Sequence, residues 1–205
     1  MDETLFIFSD SDGGCDKVFR IGNDASTSEK GLDSSKHVSR AMAMFVTAGH
    51  GDVDQLLMPE EPEQLIYIPG TWEILFGLTL ASSGIHLFRA VCQGLAFFYY
   101  DLLINHEIHT PARALYVCDG AFNHKKFCQI FAHVYDIPVT ILRTGSDRTL
   151  MPYLEREKVP SSFSEVLLST FEATLQPESA LHTRYMQLHK QYSSLKRDTI
   201  LYNKG

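Results

Sequence analysis

The stretch ALYVCDGAFNHKKFCQIFAHVYDIPVTIL, residues 114–142, decides the fold class of this chain. It predicts a strand at Ala114 to Cys118, a helix at His124 to Tyr135 and a second strand at Val139 to Leu142. Within the helix, the apolar side chains that would face a core recur at helical spacing: Phe127, Ile130, Phe131 and Val134. A strand–helix–strand unit this short requires a right-handed crossover between parallel strands, so we expect an α/β fold.

The longest predicted helix lies just before this unit, from Gly84 to about Glu107, with Ser82 or Ser83 as its N-cap. Its main apolar face consists of Leu87, Val91, Leu95, Phe98 and Leu102, and its polar residues Arg89, Gln93 and Asp101 are expected to point elsewhere. Because the helix is apolar almost all round, we expect it to be buried between layers. Gly94 costs roughly 1 kcal/mol relative to alanine in a helix interior, so its expected role is close packing against another element.

The N-terminal part of the chain predicts strands separated by loops. An Asp-Gly-Gly turn between two apolar runs, Leu5 to Phe8 and Val18 to Ile21, indicates a hairpin. Residues 22–35 are rich in Ser, Asp, Gly and Thr and predict a loop. Two further apolar strands are expected at Met42 to Thr47 and at Leu65 to Ile68.

The C-terminal part of the chain, after Pro152, predicts two helices. The first spans Phe163 to Thr174 and the second Ser179 to Arg197. The second is polar, and Tyr185 and Tyr192 are its expected aromatic anchors.

The bulk composition is that of a globular protein and excludes several classes. With 205 residues, 44% hydrophobic and 21% charged, the chain can bury a core as one ordinary domain or two small ones. Its net charge of −7 argues against a nucleic-acid surface, which would show clustered Lys and Arg. No run is apolar enough for a transmembrane helix, and the acidic start Met1-Asp2-Glu3 is unlike a leader, so cytoplasmic residence is the default expectation.

The cysteines and histidines do not indicate a metal site. The four cysteines, Cys15, Cys92, Cys118 and Cys128, form no C-x-x-C pair. Cys92 and Cys128 lie among apolar helical residues and are expected to be buried free thiols. The nine histidines lack the helical pairing of a metal site, apart from two in the polar C-terminal helix.

Two polar runs contain the candidate chemistry. Ala48-Gly49-His50-Gly51-Asp52 places an acid on a glycine-rich turn, where a carboxylate can accept a proton from a sugar hydroxyl. Gly70-Thr71-Trp72-Glu73 follows an apolar strand, where backbone N–H groups and a hydroxyl can meet phosphate. Each run has a structural alternative: an Asx turn at Asp52, and a Pro-Gly turn beginning at Pro69.

Together these runs resemble the catalytic and phosphate motifs of the FGGY carbohydrate kinases, most closely the fuculokinase and rhamnulokinase branch. The likeness continues in FGLTL at Phe76 to Leu80, in HLFRAVCQGLAF at His86 to Phe97, and in the strand and turn from Leu115 to Ala121. It covers roughly Ala43 to Ile141, and more weakly the tail to about Arg197.

The resemblance implies a fold, a division of the chain and an activity. The fold is a ribonuclease-H-like sheet of the actin and sugar-kinase architecture with a buried central helix. Residues 1–41 would form an N-terminal hairpin and loop segment, and residues 42–205 a kinase-like C-terminal nucleotide-binding domain. The implied activity is phosphorylation of a deoxy-ketose such as fuculose or rhamnulose, with ATP and Mg²⁺.

The resemblance also implies roles for individual residues. Asp52 would take the proton from the attacking sugar hydroxyl, and Gly70 and Thr71 would contact the transferred phosphate. Gly120 and Ala121 would lie where the backbone approaches adenosine.

A further pair of acids resembles the turn with which actin-like kinases begin. In that comparison Asp10 and Asp12 would orient magnesium. The alternative is an ordinary hairpin turn, since Asp-Gly-Gly favours one.

The sequence departs from the family pattern at several points. Gly51 intervenes before Asp52, and the single Gly120 stands where the family has a run of glycines. Leu75 runs directly into Phe76, where family members have a long intervening stretch. The chain is therefore expected to be a shortened and partly degenerate relative.

These departures leave alternatives open. The chain could be a non-catalytic binding or interaction module, or a subunit that completes its site with another chain. An enzyme would bind nucleotide and sugar, whereas the truncated sheet of a subunit of this kind would leave apolar surface for a second copy or a partner chain to cover. Neither nucleic acid nor a membrane is an expected partner.

Overall fold

A computed structural model of the chain describes residues 4–9, 15–21, 62, 64–69, 74–105, 114–118, 122, 124–143, 149–150 and 163–202. The strands in those ranges are β1 (Thr4–Ser9), β2 (Cys15–Ile21), β3 (Ile66–Ile68), β4 (Ile74–Phe76), β5 (Ala114–Cys118), β6 (Val139–Leu142) and β7 (Phe171–Leu175). The helices are α1 (Gly84–Asn105), α2 (Lys125–Tyr135), α3 (Phe163–Ser169) and α4 (Ser179–Tyr202). The predicted strand from Met42 to Thr47 lies outside the described residues.

The larger sheet is mixed, with strand order β2-β1-β5-β6-β7. Strands β5 and β6 are parallel, with Leu115 opposite Val139, while the other neighbouring pairs are antiparallel. The expected parallel strand–helix–strand unit and the expected N-terminal hairpin are therefore both confirmed. Since β1 pairs with β5, the hairpin belongs to the same sheet as the C-terminal strands. The proposed boundary at residue 41 lies outside the described residues and stays a prediction.

Helix α1 is buried, as its composition predicts. Phe88, Leu95, Phe97 and Tyr99 are each at most 4% exposed, in one core with α2, α4 and β3. The N-cap is Ser83, whose carbonyl accepts the N–H of Leu87, the first intrahelical hydrogen bond.

Close packing of α1 against β3 explains the glycine inside this helix. Strands β3 and β4 form a separate two-stranded antiparallel sheet. A Cβ atom at Gly94 would lie 2.9 Å from Cδ1 of Tyr67 in β3 and closer still to the Tyr67 carbonyl oxygen. Only a glycine lets the two backbones approach this closely, so the expected role of Gly94 is confirmed.

The predicted helix from Phe163 to Thr174 is wrong in its second half. Helix α3 ends at Ser169, and β7 begins at Phe171 as an antiparallel neighbour of β6. Both the N–H and the hydroxyl of Thr170 bond to the carbonyl of Leu167, at 3.1 and 2.7 Å, and close the last helical turn. The following residues then gain backbone hydrogen bonds along β6, and this tertiary pairing outweighs the local helical pattern.

Helix α4 packs across α1, α2 and β3. Tyr185 and Tyr192 are both fully buried, which confirms them as its anchors. In the part of the chain that the structure describes, no helix has the length and apolarity needed to span a membrane.

Candidate functional site

The residues predicted to carry the chemistry all lie outside the described residues. They are Asp52, Gly70, Thr71, Gly120, Ala121, Asp10 and Asp12. Their roles stay predictions. The structure describes strands or helices close to the Gly70, Gly120 and Asp10 segments, whereas residues 22–61, which include Asp52, lie outside the described residues.

The Gly70 and Thr71 segment connects the two strands of the small sheet. Ile68 pairs with Ile74, so the chain turns back between them. β3 is buried along its whole length, and the helices α1 and α4 contact it. The strand that leads into the predicted phosphate segment is thus packed against two helices.

The Gly120 and Ala121 segment leaves the carboxyl end of β5. Because β5 and β6 are parallel, Cys118 and Leu142 end their strands at the same edge of the sheet. In open α/β sheets, ligands bind outside the carboxyl ends of parallel strands. The predicted nucleotide segment therefore starts from a suitable edge.

Phe122 fixes the chain just after this segment. Its side chain is 1% exposed, and its ring lies against Phe127 and Phe131 at centroid distances of 5.1 and 4.9 Å. Its carbonyl accepts the Cys128 thiol at 3.1 Å. The residue directly after Ala121 is thus held in place by core packing.

The start of α2 lies close in sequence to this anchor. The N-cap residue, His124, has extended backbone and makes no capping hydrogen bond through its side chain. The first turn contains Lys125 and Lys126 and no acid. Positive side chains are unfavourable beside the positive end of a helix dipole, so an anion near this end would be stabilising.

The hairpin turn that contains Asp10 and Asp12 leaves β1 at a different edge. Ser9, the last residue of β1, pairs with Ala114, the first residue of β5. The carboxyl end of β5, at Cys118, pairs instead with Leu5. The strand end before Asp10 is therefore separated from the edge of Cys118 by the length of β5.

A buried polar contact joins α1 to α4. Arg89 is 4% exposed, and its Nη2 donates to the Tyr185 hydroxyl at 2.8 Å. Gln93, one turn further along, is 1% exposed. The sequence predicts that Arg89 and Gln93 point away from the face of Leu87, Val91 and Leu95, and the structure buries both of them nonetheless.

His133, near the end of α2, lies beside this contact and is 4% exposed. Its Nδ1 accepts the backbone N–H of Glu178 at 3.0 Å, and its Nε2 lies 3.0 Å from Nε2 of Gln129. The Gln129 amide also donates to the carbonyl of Gln176 at 2.8 Å. Burial lowers the pKa of His133; the Glu178 carboxylate opposes this effect, and the Arg89 charge adds to it.

An ionic contact joins the other ends of α1 and α4. One carboxylate oxygen of Asp101 lies 2.7 Å from Nε2 of His189, and the other lies 3.2 Å from Nζ of Lys196. Burial alone would raise the pKa of Asp101, but the His189 hydrogen bond and the Lys196 charge outweigh it, so the pKa is lowered.

The sequence contains two patterns that could have predicted the polar contacts between α1 and α4. Arg89 interrupts a nearly continuous apolar run, and a charged residue there is buried only when it has polar partners. On α4, Tyr185, His189 and Tyr192 recur at helical spacing, which marks one face of a polar helix as an interface.

Cys92 and Cys128 are free and buried. Burial raises the pKa of Cys92 to about 12 and raises that of Cys128 as well. Neither thiol is a candidate nucleophile, and the prediction of buried free thiols is confirmed for these two.

Comparison with known proteins shows a fold and no sequence family. No protein-family model matches the sequence, and no curated protein is significantly similar to it. Solved structures do match. Xylulose kinase from Rhodospirillum rubrum has a TM-score of 0.62 at 16% identity, covering 90% of this chain and 40% of that one.

Two other kinases match in the same way. Gluconate kinase from Lactobacillus acidophilus has a TM-score of 0.57 at 17% identity, covering 84% of this chain and 36% of that one. Glycerol kinase from Plasmodium falciparum, solved with ADP, has a TM-score of 0.50 at 13% identity, covering 83% of this chain and 34% of that one.

These matches establish the architecture. The chain has the fold of sugar kinases, a mixed α/β sheet with a buried central helix, which confirms the expected fold. It spans about 40% of the length of the xylulose kinase that it matches.

Proposed function

We propose that this chain is a kinase-fold protein that transfers phosphate from ATP to a hydroxyl of a sugar or polyol. The observation that supports this most is the match of 90% of the chain to a xylulose kinase fold. Gluconate and glycerol kinases match as well, and the substrates in these three names are all polyhydroxylated carbon chains. The motif resemblance narrows the proposal to a deoxy-ketose of the fuculose or rhamnulose kind.

In this proposal, the strand ends described above supply the two binding segments. Gly120 and Ala121 follow the carboxyl end of β5 and would approach the nucleotide. Gly70 and Thr71, between β3 and β4, would contact the transferred phosphate. Asp52 would accept the proton of the attacking hydroxyl.

Magnesium has no supporting observation in the described ranges. Within them, no group of three or more His, Cys, Asp or Glu side chains could hold a metal ion. Asp10 and Asp12 follow a strand end that lies away from the Cys118 edge. Magnesium therefore enters the proposal only as the ordinary partner of ATP phosphates, and we derive no step through it.

The decisive experiment is ADP release measured with a panel of ketoses and polyols. Asp52→Asn keeps the side-chain shape but removes the base, so turnover should fall by about a hundredfold to ten-thousandfold. The matched control is Asp54→Asn, which removes a charge two residues away and should leave turnover within a few-fold. Equal rates for wild type and Asp52→Asn would exclude Asp52 from the mechanism.

Nucleotide affinity is the second arm of this experiment. Only Gly120 remains where the family has a run of glycines, and the side chains of Asp119 and Ala121 beside it would narrow the approach of adenosine. We therefore expect weak, magnesium-dependent ATP binding by calorimetry. Submicromolar affinity would contradict this view of the pocket. Asp52→Asn should leave the affinity unchanged, since its role is confined to the hydroxyl.

The second candidate is a non-catalytic module, or a subunit that completes its site with another chain. Leu78 and Leu80, between β4 and α1, favour it because they are 59% and 109% exposed. A folded wild-type chain with no ADP release on any sugar would support this candidate and reject the enzyme.

A further inference from the structure

The imidazole ring of His133 faces an N–H donor at each of its two nitrogens. The Glu178 backbone N–H points at Nδ1, and the Gln129 amide nitrogen lies against Nε2, each at 3.0 Å. A neutral imidazole has one acceptor nitrogen, and a protonated imidazole has none. Protonation of His133 therefore breaks the hydrogen bond from Glu178.

Burial of the His133 ring disfavours a positive charge there and is the main cause of its lowered pKa. The Glu178 carboxylate opposes this effect, and the Arg89 guanidinium of α1 adds to it more weakly as a like charge. The Tyr185 ring of α4 stacks on the imidazole at 6.1 Å and 11°. Strand β6 contains no ionisable side chain, and the charge of Glu172 on β7 acts on Cys128.

His133 is also where the beginning of α4 attaches to α2. Glu178 directly precedes α4 and bonds to the His133 ring. His182, in the first turn of α4, has its Nδ1 3.0 Å from the His133 carbonyl. The carbonyl of Glu178 in turn accepts the N–H of His182 at 2.9 Å, so the first turn of α4 depends on the position of Glu178.

From this geometry we propose that the N-terminal end of α4 is a pH-sensitive dock: it is seated on neutral His133 and is released when that ring becomes protonated. The proposal rests on described residues alone and does not depend on the kinase activity.

The direction of the pH effect follows from the lowered pKa of His133. A lowered pKa in the folded state means that the opened state binds the proton more readily. The docked state is therefore fully stable above the ordinary histidine pKa of about 6.5, and it loses stability as pH falls toward the folded pKa.

Hydrogen exchange on the full chain tests this proposal. Protection factors of the Glu178 to Tyr185 amides, corrected for intrinsic exchange, are compared between pH 7.5 and 5. For the wild type we expect protection to fall by up to about tenfold for each pH unit below 6.5, the slope of a single proton. Amides of α2 that do not contact α4 should change less.

Two variants test whether the pH dependence of protection comes from His133 or from the neighbouring His182. His133→Asn keeps an acceptor oxygen at the position of Nδ1 but does not titrate, so its protection should be independent of pH. His182→Asn keeps a donor toward the His133 carbonyl and should retain the wild-type slope. A flat wild-type profile, or an unchanged slope in His133→Asn, would overturn the proposal.

If His133→Asn does not fold, an NMR titration of the wild-type histidines tests the proposal instead. The proposal requires the His133 ring to titrate below the ordinary histidine value, together with the loss of α4 protection. Titration at or above that value would refute it.

Discussion

Helix α1 contacts β3 and α4 in two different ways. Against β3 the contact is between backbones, since Gly94 leaves no room for a side chain beside Tyr67. Against α4, Phe97 packs on the rings of Tyr185 and Tyr192, and a second, polar kind of contact is added through Arg89 at one end and Asp101 at the other. The first kind of contact tolerates no added volume, and the second responds to charge and pH. The difference predicts that changes at the backbone contact alter stability at every pH, while changes at the polar contacts alter the dependence of stability on pH.

The largest expected effect comes from the apolar side. Leu95 is fully buried, so Leu95→Ala should lower the free energy of unfolding by about 2–5 kcal/mol. The matched control is Leu80→Ala, at a fully exposed position, where a change below about 0.5 kcal/mol is expected. Denaturant melts measure both. A loss under half a kcal/mol in Leu95→Ala would mean that α1 is not central to the core.

A smaller effect is expected from adding volume at the backbone contact. Gly94→Ala places a methyl group against the Tyr67 carbonyl and should destabilise by about 2 kcal/mol, although alanine is the better helix former. Gly84→Ala, at the partly exposed start of α1, serves as the control and should be neutral or stabilising. If Gly94→Ala raised the melting temperature, the close approach of α1 and β3 would be disproved.

At the polar contact between α1 and α4, Tyr185→Phe removes the hydroxyl that accepts a hydrogen bond from Arg89. The expected cost is about 1.5 kcal/mol, at the lower end of the usual range for a buried hydrogen bond to a charged group. Tyr135→Phe is a close control, because the buried Tyr135 hydroxyl has no hydrogen-bond partner among the described residues and its removal should cost almost nothing. Equal losses in the two variants would show that the Arg89 contact contributes no stability of its own.

The smallest effect at neutral pH is expected at the ionic end. Asp101→Asn should cost about 1 kcal/mol or less at pH 7. Its pKa is lowered in the folded state, so its contribution is present above the ordinary aspartate value of about 4 and is lost as pH falls through the folded pKa. The variant should therefore show a flatter loss of stability below about pH 4 than the wild type. If the free energy of unfolding fell with the same slope below pH 4 in both proteins, Asp101 would not contribute to the acid sensitivity of this fold.

The two ends of α4 thus respond in separate pH windows. The dock at His133 is expected to weaken between about pH 6.5 and the lower folded pKa of that ring, and the Asp101 contact only at more acid pH. Hydrogen exchange along α4 can resolve them, since the N-terminal half should open first.

Local patterns predicted most of the described elements. Residues 114–142 predicted β5, α2 and β6 because strand, helix and strand periodicities follow one another without interruption. Strand β7 was missed because the pattern of residues 163–174 also fits a helix, and only the neighbouring β6 favours a strand. The short strand β4 was missed for the same reason, since its partner is β3.

The polar contacts of α4 were harder to predict. Arg89 lies on α1 between apolar positions, and its buried hydrogen-bond partner, Tyr185, is distant in sequence. Periodicity shows that a face exists but does not show which polar groups meet there. The catalytic and nucleotide positions came from a motif resemblance, and they stay predictions.

The antiparallel pairing of β1 with β5 has a consequence for the order of folding. Phe6 lies opposite Val117, so the central strand of the sheet acquires this neighbour only when two distant parts of the chain meet. The neighbours of β5 on its other side, from α2 to α4, are contiguous in sequence and need much shorter loops to close. We therefore expect the C-terminal half to assemble first around β5, and the β1–β2 hairpin to add as the last and slowest pairing. During synthesis β1 leaves the ribosome before β5, yet it would be among the last of these strands to pair.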